Sequence, residues 1–427
     1  MNFFIETLGC KVNIYESEMM AEKLLAAGYK CSKEEPDIYI INTCSVTNMA
    51  DQKSRKLVRR IRRNHPNCIL LVCGCSTQNK ETDYQSMGID ILLGNNQKSE
   101  VVILIEKYKE KKQQYRSVNL NRNIAFEDMK VDKFQTHTRA FVKIQDGCDN
   151  FCTFCIIPHV RGSIRSKAFD LVVNEVKTLV QNGHQEVVLT GIHTGSYGTG
   201  LNYDLTDLIH EISKIERLKR IRISSIEITE LDDKFLRELK ENPKICNHLH
   251  IPLQTGTNEI LKRMNRKYDL DYFEKKIKLI RSIRPNISIS TDVIVGFPYE
   301  TEALFQSTVK FCNKMKFSKM HVFPYSIREG TPAATMPNQN EETVKKDRSR
   351  LLNQISLELE QNYNEQFMNT EADVLIEEVY EGYSIGHTSN FLKVEIKAQL
   401  EKNRNYVVKI TKVEKQHLLG ETITVKS

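Results

Sequence analysis

The chain has 427 residues, 40% of them apolar and 27% charged. These values predict two or three ordinary globular domains and exclude a disordered, collagen-like or coiled-coil protein. Lys and Arg outnumber Asp and Glu by 62 to 55, a net charge of +7 that suits a polyanionic partner without requiring one. No apolar run reaches the roughly 18 residues of a membrane span, and the start MNFFIETLGC has neither the basic nor the apolar region of a secretory signal, so neither is expected.

In chain order, FFIETLG, DIYIINT and CILLVCG read as short buried strands, separated by helical patterns at 15–27 and 49–64. This is the alternation of a parallel α/β domain, placed at 1–112. Residues 107–137 are polar and aperiodic and read as a linker or exposed crossover. From 137 to 366, six strand patterns (FVKIQDG, EVVLTGI, RIRISSI, HLHIPLQ, ISISTDVIVGF, MHVFPYS) alternate with helical stretches near 168–182, 203–214, 230–241, 257–265, 270–283 and 301–315. A partial (β/α)6 barrel is expected there, followed by a long polar helix over about 340–368. In the last segment, 367–427, VLIEEVY, FLKVEIK, YVVKITK and TITVKS read as strands of a small β-barrel, with turns at Gly382, Gly386 and Gly420. The fold class is thus α/β with a C-terminal β-barrel.

Eleven cysteines are too many, and odd in number, for a disulfide framework in a reducing compartment. Cys148, Cys152 and Cys155 stand as CxxxCxxC directly after the first barrel strand, at the end where such barrels place their chemistry. Three thiolates on one loop suit three corners of an iron–sulfur cube with one iron left open. A closed zinc site would want a fourth ligand, for which His159 is the nearest candidate. Cys10, Cys44 and Cys75 each follow a predicted strand at its carboxyl end. In a parallel sheet those ends share one edge, which suggests a second triad. Cys73 competes with Cys75, which is preferred because it comes after Gly74 in the turn. Cys31, Cys68, Cys246 and Cys312 have no grouped partners and read as packing.

The CxxxCxxC loop resembles that of the radical S-adenosylmethionine superfamily. With the blocks TLGCKVNIYESE (7–18), NTCSVT (42–47), GCSTQ (74–78), KIQDGCDNFCTFCIIPHVRGSIRS (143–166), LTGIHTGSYG (189–198), RISSIE (222–227), HIPLQTGTNEILKRMNR (250–266), STDVIVGFPYET (290–301) and FPYSIREGTPAATM (323–336), the chain resembles the methylthiotransferase branch over nearly its whole length. GHTSNFLKVEI (386–396) is similar to the family's RNA-binding TRAM barrel. TLGCKVN, LTGIHTGSYG and FPYSIREGTPAA resemble the branch acting on threonylcarbamoyl-adenosine. Other branches act on isopentenyl-adenosine in tRNA or on a ribosomal-protein aspartate. One departure is VCGCS, where the family often has a small–aromatic pair after the cluster cysteine.

The resemblance implies two [4Fe–4S] clusters, at Cys148/Cys152/Cys155 and at Cys10/Cys44/Cys75, S-adenosylmethionine, and insertion of a methylthio group at C2 of adenosine 37 in the tRNA anticodon stem-loop. It further implies an electron donor such as flavodoxin or ferredoxin, and a cytoplasmic site of action. Thr190, Gly191, Ser225, Glu227, Gln254 and Gly296, at or near strand ends, are candidate cofactor contacts, and each can equally close a turn. Arg161 and Arg165 are candidates for a cofactor carboxylate or phosphate. Lys53, Arg55, Lys56, Arg59, Arg60, Arg62 and Arg63 put seven cations in eleven residues, with Leu57, Val58 and Ile61 as an apolar stripe, which reads as a basic amphipathic helix facing RNA. The C-terminal segment is not basic, so RNA contact there rests on a local patch at Lys393, Lys397, Lys402 and Arg404. Phe391 and Tyr383 are candidates for base stacking or, equally, for the core. The competing class is a non-catalytic RNA-binding protein with structural zinc.

Overall fold

The computed structural model describes residues 1–118, 120, 125–135 and 137–424. The linker expected over 107–137 and the last strand expected at 422–427 fall partly outside the described residues.

The N-terminal layer is a six-stranded sheet of β1 (Asn2–Thr7), β2 (Lys30–Cys31), β3 (Ile38–Thr43), β4 (Ile69–Gly74), β5 (Ile91–Leu93) and β6 (Tyr115–Ser117), ordered 2-1-3-4-5-6. Every pair is parallel. The continuous apolar runs IYIIN and ILLVC are buried on both faces, as a helix-covered parallel sheet requires. The helices are α1 (Lys11–Ala26), α2 (Asn48–Asn64), the single turn α3 (Cys75–Asn79) and α4 (Val101–Lys111). Helix α4 and strand β6 occupy part of the expected linker. Lys-rich solvent positions mask the apolar Val101, Leu104 and Ile105 that α4 buries, so polarity alone misreads the segment.

Six parallel strands form the barrel: β7 (Ala140–Lys143), then β10 (Glu186–Thr190), β11 (Arg220–Ile223), β12 (His248–His250), β13 (Ser288–Val295) and β14 (Lys319–Pro324). A short antiparallel excursion, β8 (Gln145–Asp146) with β9 (Arg165–Ser166), brackets the cysteine loop. The strands pair as 7-10-11 and 12-13-14, and isolated parallel bridges Ile221–Ile245 and Ser225–His250 join the two halves. The barrel is therefore partial, open between β7 and β14. Helices α5 (Ile157–Arg161), α6 (Phe169–Gln181), α7 (Leu205–Ser213), α8 (Asp233–Glu241), α9 (Asn258–Arg263), α10 (Leu270–Ile283) and α11 (Glu302–Met315) connect the strands. The long α12 (Glu342–Glu365) leads out.

The C-terminal unit is a closed barrel of β15 (Glu371–Tyr380), β16 (Tyr383–Thr388), β17 (Lys393–Ile396), β18 (Asn405–Val413) and β19 (Leu418–Thr424). Closure leaves no free edge. Gly382 makes the expected turn, whereas Gly386 and Gly420 lie inside strands β16 and β19, and β16 is a strand that the alternation did not predict.

Candidate active site

The strand order 2-1-3 reverses direction at β1/β3, and ligands of open α/β sheets gather at the carboxyl ends of strands beside that reversal. Cys10 follows β1, Cys44 follows β3 and Cys75 follows β4. Two glycines make the close approach possible. A Cβ on Gly9 (φ +102°) would stand 2.7 Å from the Sγ of Cys44, and one on Gly74 (φ +112°) 2.5 Å from the Thr43 carbonyl. Each of the three thiols lies within electrostatic reach of another. Cys10 is the N-cap of α1, whose first amides have no side-chain cap. Such a helix start favours a thiolate, but burial outweighs it and raises the Cys10 thiol, with Arg161 opposing the rise. Burial raises the Cys44 thiol to about 12, with its thiol neighbours acting in the same sense. Bound iron removes that penalty, because metal ligation deprotonates a thiol outright.

Cys73 belongs elsewhere. It is wholly buried inside β4 and packs in the main apolar core. Cys75 instead packs with Ile156 and Val160, at the contact between α3 and α5. Of the cysteines read as packing, Cys68, Cys246 and Cys312 are buried, but Cys31 is exposed on the two-residue edge strand β2. An edge strand has no sheet beyond it to cover that side chain.

The second triad sits on the loop after β8. Cys148 N donates to the Gly162 carbonyl at 3.1 Å, Thr153 N to the Met264 carbonyl at 3.1 Å, and Thr153 Oγ1 to the Arg263 carbonyl at 2.8 Å. The end of α9 thus fixes the loop. Arg266 Nη1 donates to Cys152 Sγ at 3.3 Å and also pairs with Glu227. Burial raises the Cys152 thiol, and Arg266 opposes that rise. Burial lifts Cys155 to about 12, with the neighbouring thiols adding to it. His193 pairs with Glu230 at 2.6 Å and comes within hydrogen-bonding reach of Cys148, while Nε of Arg266 is buried without a hydrogen-bond partner among the described residues. An orphaned guanidinium N–H beside three thiols suits an anionic group seated there. His159 faces solvent against the Phe151 ring rather than the thiols. Among the described residues, no three His, Cys, Asp or Glu converge on one ion position. A cube places its three cysteine sulfurs on different irons and asks for no such convergence.

The triads are joined through α5 and the residue before it, since Ile156, which packs on Cys75, directly follows Cys155. Arg161, at the end of α5 and wholly buried, donates from Nε to Cys75 Sγ at 3.3 Å, from Nη2 to Asn13 at 3.0 Å and from Nη1 to Glu16 at 3.0 Å and Asp146 at 3.1 Å. Lys143 bridges the same carboxylates at 2.7 Å each, Lys98 pairs with Glu16, and Arg165 reaches Asp146 at 3.2 Å. Burial alone would raise Glu16, but Arg161, Lys143 and Lys98 outweigh it and hold it well below the usual carboxylate range. Four cations against two carboxylates leave this cluster positive beside the first triad. The surplus fits a cluster whose thiolates and sulfides carry negative charge.

Other expected residues divide. Glu227 joins the loop site through Arg266, and Ser225 lines a cavity of about 610 Å³ in the barrel. Thr190 turns its hydroxyl back to the Val188 carbonyl at 3.0 Å. Gly191 packs on Gln145. Gln254, at φ +69°, bridges to Val293. Gly296 packs on Lys345 of α12 and donates its N–H to Glu300 at 2.5 Å, so that N–H is already engaged. On α2, Lys53, Lys56, Arg59, Arg60 and Arg63 are exposed. Arg62 instead turns inward to Asp90 at 2.6 Å and the Pro66 and Cys68 carbonyls, and Arg55 pairs with Asp83 at 3.2 Å. Both are thus held by carboxylates of the same domain, unlike the five exposed cations. Arg404 pairs with Glu401, and Tyr383 stacks on Tyr380 at 4.8 Å. Phe391 stacks on His387 and lies under Arg139 and Arg222, which occupies it in a domain contact. Sequence reasoning left Arg266, His193 and Lys11 without roles, although all three stand inside the quoted blocks. Their spacing relative to the cysteines has no signature of its own.

Residues 142–312 match the Radical SAM superfamily, and residues 2–94 match a group described as uncharacterized protein family UPF0004. Among solved structures, the radical S-adenosylmethionine methyltransferase TsrM of Kitasatospora setae superposes over 78% of this chain and 75% of its own, with a TM-score of 0.56 at 14% identity, which speaks to the fold. Fold and superfamily match define a radical S-adenosylmethionine enzyme, a class that works with S-adenosylmethionine and a [4Fe–4S] cluster. Threonylcarbamoyladenosine tRNA methylthiotransferase MtaB of Bacillus subtilis is 41% identical, across 95% of this chain and 92% of that protein. The protein of the same name from Thermotoga maritima is 37% identical across 92% and 90%. A tRNA-2-methylthio-N(6)-dimethylallyladenosine synthase from Natranaerobius thermophilus is 36% identical across 88% and 86%. The chain belongs to the tRNA methylthiotransferase family. Among the described residues, no helix is long and apolar enough to cross a membrane.

Proposed function

We propose that the protein replaces the C2 hydrogen of N6-threonylcarbamoyladenosine 37 in tRNA with a methylthio group, using three domains at 1–112, 137–366 and 367–427. The observation that carries this is the pair of thiol triads joined through α5 and the residue before it, each with a guanidinium donor on one of its sulfurs. The names borne by the relatives at 41% and 37% identity support the threonylcarbamoyl substrate. Cys148, Cys152 and Cys155 would hold one cluster and Cys10, Cys44 and Cys75 the other. When bound, the cluster at Cys148, Cys152 and Cys155 would supply, with S-adenosylmethionine, the radical chemistry that an unactivated C–H requires, and the cluster at Cys10, Cys44 and Cys75 would supply the sulfur, with a further S-adenosylmethionine as the methyl source.

The chain's own residues position these groups. Arg266 and Arg161 each place a guanidinium N–H on a cysteine sulfur and hold one loop against another. Glu227 fixes Arg266 and Glu16 fixes Arg161. Exposed cations of α2 meet RNA phosphates, and a flipped-out base enters the barrel. Val46, Met49 and Ile327, exposed where the N-terminal domain meets the barrel, give unpaired loop bases an apolar footing. A small cytoplasmic flavoprotein or iron–sulfur protein such as flavodoxin or ferredoxin supplies the electrons. Nucleoside mass spectrometry of tRNA from a deletion strain tests the reading. Loss of the methylthio group from threonylcarbamoyladenosine alone is expected. Its loss from isopentenyladenosine, or from a ribosomal protein instead, overturns the substrate assignment.

A further inference from the structure

The cavity of about 610 Å³ runs down the inside of the partial barrel, from Ser225 and Lys11 near the strand ends to Ser288, at the start of β13, and the C-terminal barrel. Its charged groups are mostly spoken for. Asp292 faces His250 at 3.2 Å, and Lys319 pairs with Glu360 at 3.0 Å. Lys11 is different. It reaches this wall from the N-terminal domain, and its ammonium group makes no hydrogen bond or ion pair among the described residues. An ammonium group held in a cleft without a direct hydrogen-bond or ion-pair partner is a site for an anion.

The proposed substrate carries one. A threonine joined through a carbamoyl group to N6 of adenine ends in a free carboxylate, which neither adenosine nor isopentenyladenosine has. On the adenine ring, C2 and C6 flank the same nitrogen, N1, so the N6 substituent and the C2 hydrogen share one edge of the base. Sulfur delivered to C2 from the first triad therefore comes from the side on which the N6 substituent lies. Lys11 immediately follows Cys10 of that triad, and the cavity opens beside it.

We propose that Lys11 is the specificity-determining residue for the threonylcarbamoyl group, its ammonium pairing with the substrate carboxylate in this cavity. This rests on the substrate reading above and names the contact that would enforce it. A charge-assisted hydrogen bond in a cleft is the kind of interaction that discriminates most strongly, because the group left behind in its absence is a desolvated charge.

The test measures binding of the reconstituted full-length enzyme to one anticodon stem-loop in three forms: threonylcarbamoyladenosine 37, the same nucleoside with its carboxylate methyl-esterified, and unmodified adenosine 37. For the unaltered protein the acid is expected to bind about 10- to 100-fold more tightly than the ester. In Lys11→Met the acid should fall to the ester's affinity, while the ester and the unmodified loop move less than about 2-fold, and Lys11→Arg should keep the preference for the acid, since it keeps the charge. Equal loss for acid and ester in Lys11→Met would show a structural role and overturn the assignment. So would an undiminished preference for the acid. If the unaltered enzyme ignores the threonylcarbamoyl group and modifies isopentenyladenosine, the substrate reading fails instead, a result distinct from either.

Discussion

Cys73 and Cys75 lie two residues apart and face the same choice in sequence, yet their surroundings differ. Cys73 is part of the apolar core, and Cys75 sits under Arg161 at the domain contact. Reconstituted protein is expected to carry about eight irons per chain, Cys75→Ala about four, and Cys73→Ala about eight. Cys73→Ala should cost only about 1 kcal/mol from lost packing. Iron analysis with thermal melts checks both, and four irons in Cys73→Ala with eight in Cys75→Ala would reverse the assignment. The strand CILLVCGC shows where a strand ends only approximately. The turn at Gly74, which decides which sulfur faces the edge, depends on how close β3 comes.

At the scale of the element, α2 carries two sets of cations, one exposed and one held by carboxylates of its own domain. Among the described residues, its exposed cations have no acidic partners apart from Arg60, which reaches Glu6 at 3.4 Å, whereas Arg62 is a structural strut. Replacing Lys56, Arg59 and Arg63 together by Glu should weaken tRNA binding by at least ~10-fold and flatten the plot of log affinity against log salt by about 2. Arg62→Ala should leave that slope alone and cost about 1–2 kcal/mol of stability instead. Binding titrations at several salt concentrations separate the two. A seven-cation count was legible in sequence, but the split was not, since it depends on where Asp83 and Asp90 come to lie.

The base of β10 and β11 makes a second element-scale case. Glu186 is buried with Arg222 at 2.6 Å and Arg220 at 3.4 Å, and both guanidiniums reach across to the C-terminal barrel: Arg220 to the His387 carbonyl at 2.9 Å, Arg222 to the Ser389 carbonyl at 3.3 Å. Burial alone would raise this carboxyl, but the two arginines outweigh it and hold it at about 2, against an ordinary 4.5. Because the folded value is depressed, the stabilisation is complete above about pH 4.5 and is lost as pH falls toward 2. By linkage it amounts to roughly 3 kcal/mol. Denaturant melts across that range should show the unaltered protein weakening with acid and Glu186→Gln, weaker at neutral pH, lacking that part of the acid loss.

For the whole molecule, function depends on how the N-terminal domain is clamped over the barrel. Arg328 pairs with Asp51 at 2.8 Å and donates to the Ser45 carbonyl at 2.6 Å and to Asn48 at 2.8 Å, while Asn95 donates to the Val160 carbonyl at 2.7 Å. Arg328 and Asp51 are both buried. Arg328→Met should cost about 3–5 kcal/mol by stranding the Asp51 carboxylate. Adding Asp51→Asn should recover part of that loss. A double-mutant cycle by thermal melting checks the coupling, and full additivity would refute it.

The sequence alone determined the α/β–barrel–β-barrel order, the two sets of strand-end cysteines and the basic helix, because periodicity, spacing and local charge are written along the chain. It could not determine the side of a residue whose partner lies far away. Arg161 meets Glu16 across 145 positions, Arg328 meets Ser45 across 283, and Lys11 joins a cavity wall built mostly from strands more than 200 residues further on. Those contacts arise from folding three domains onto one another, and that packing decides which charges are cancelled and brings Lys11 to the cavity.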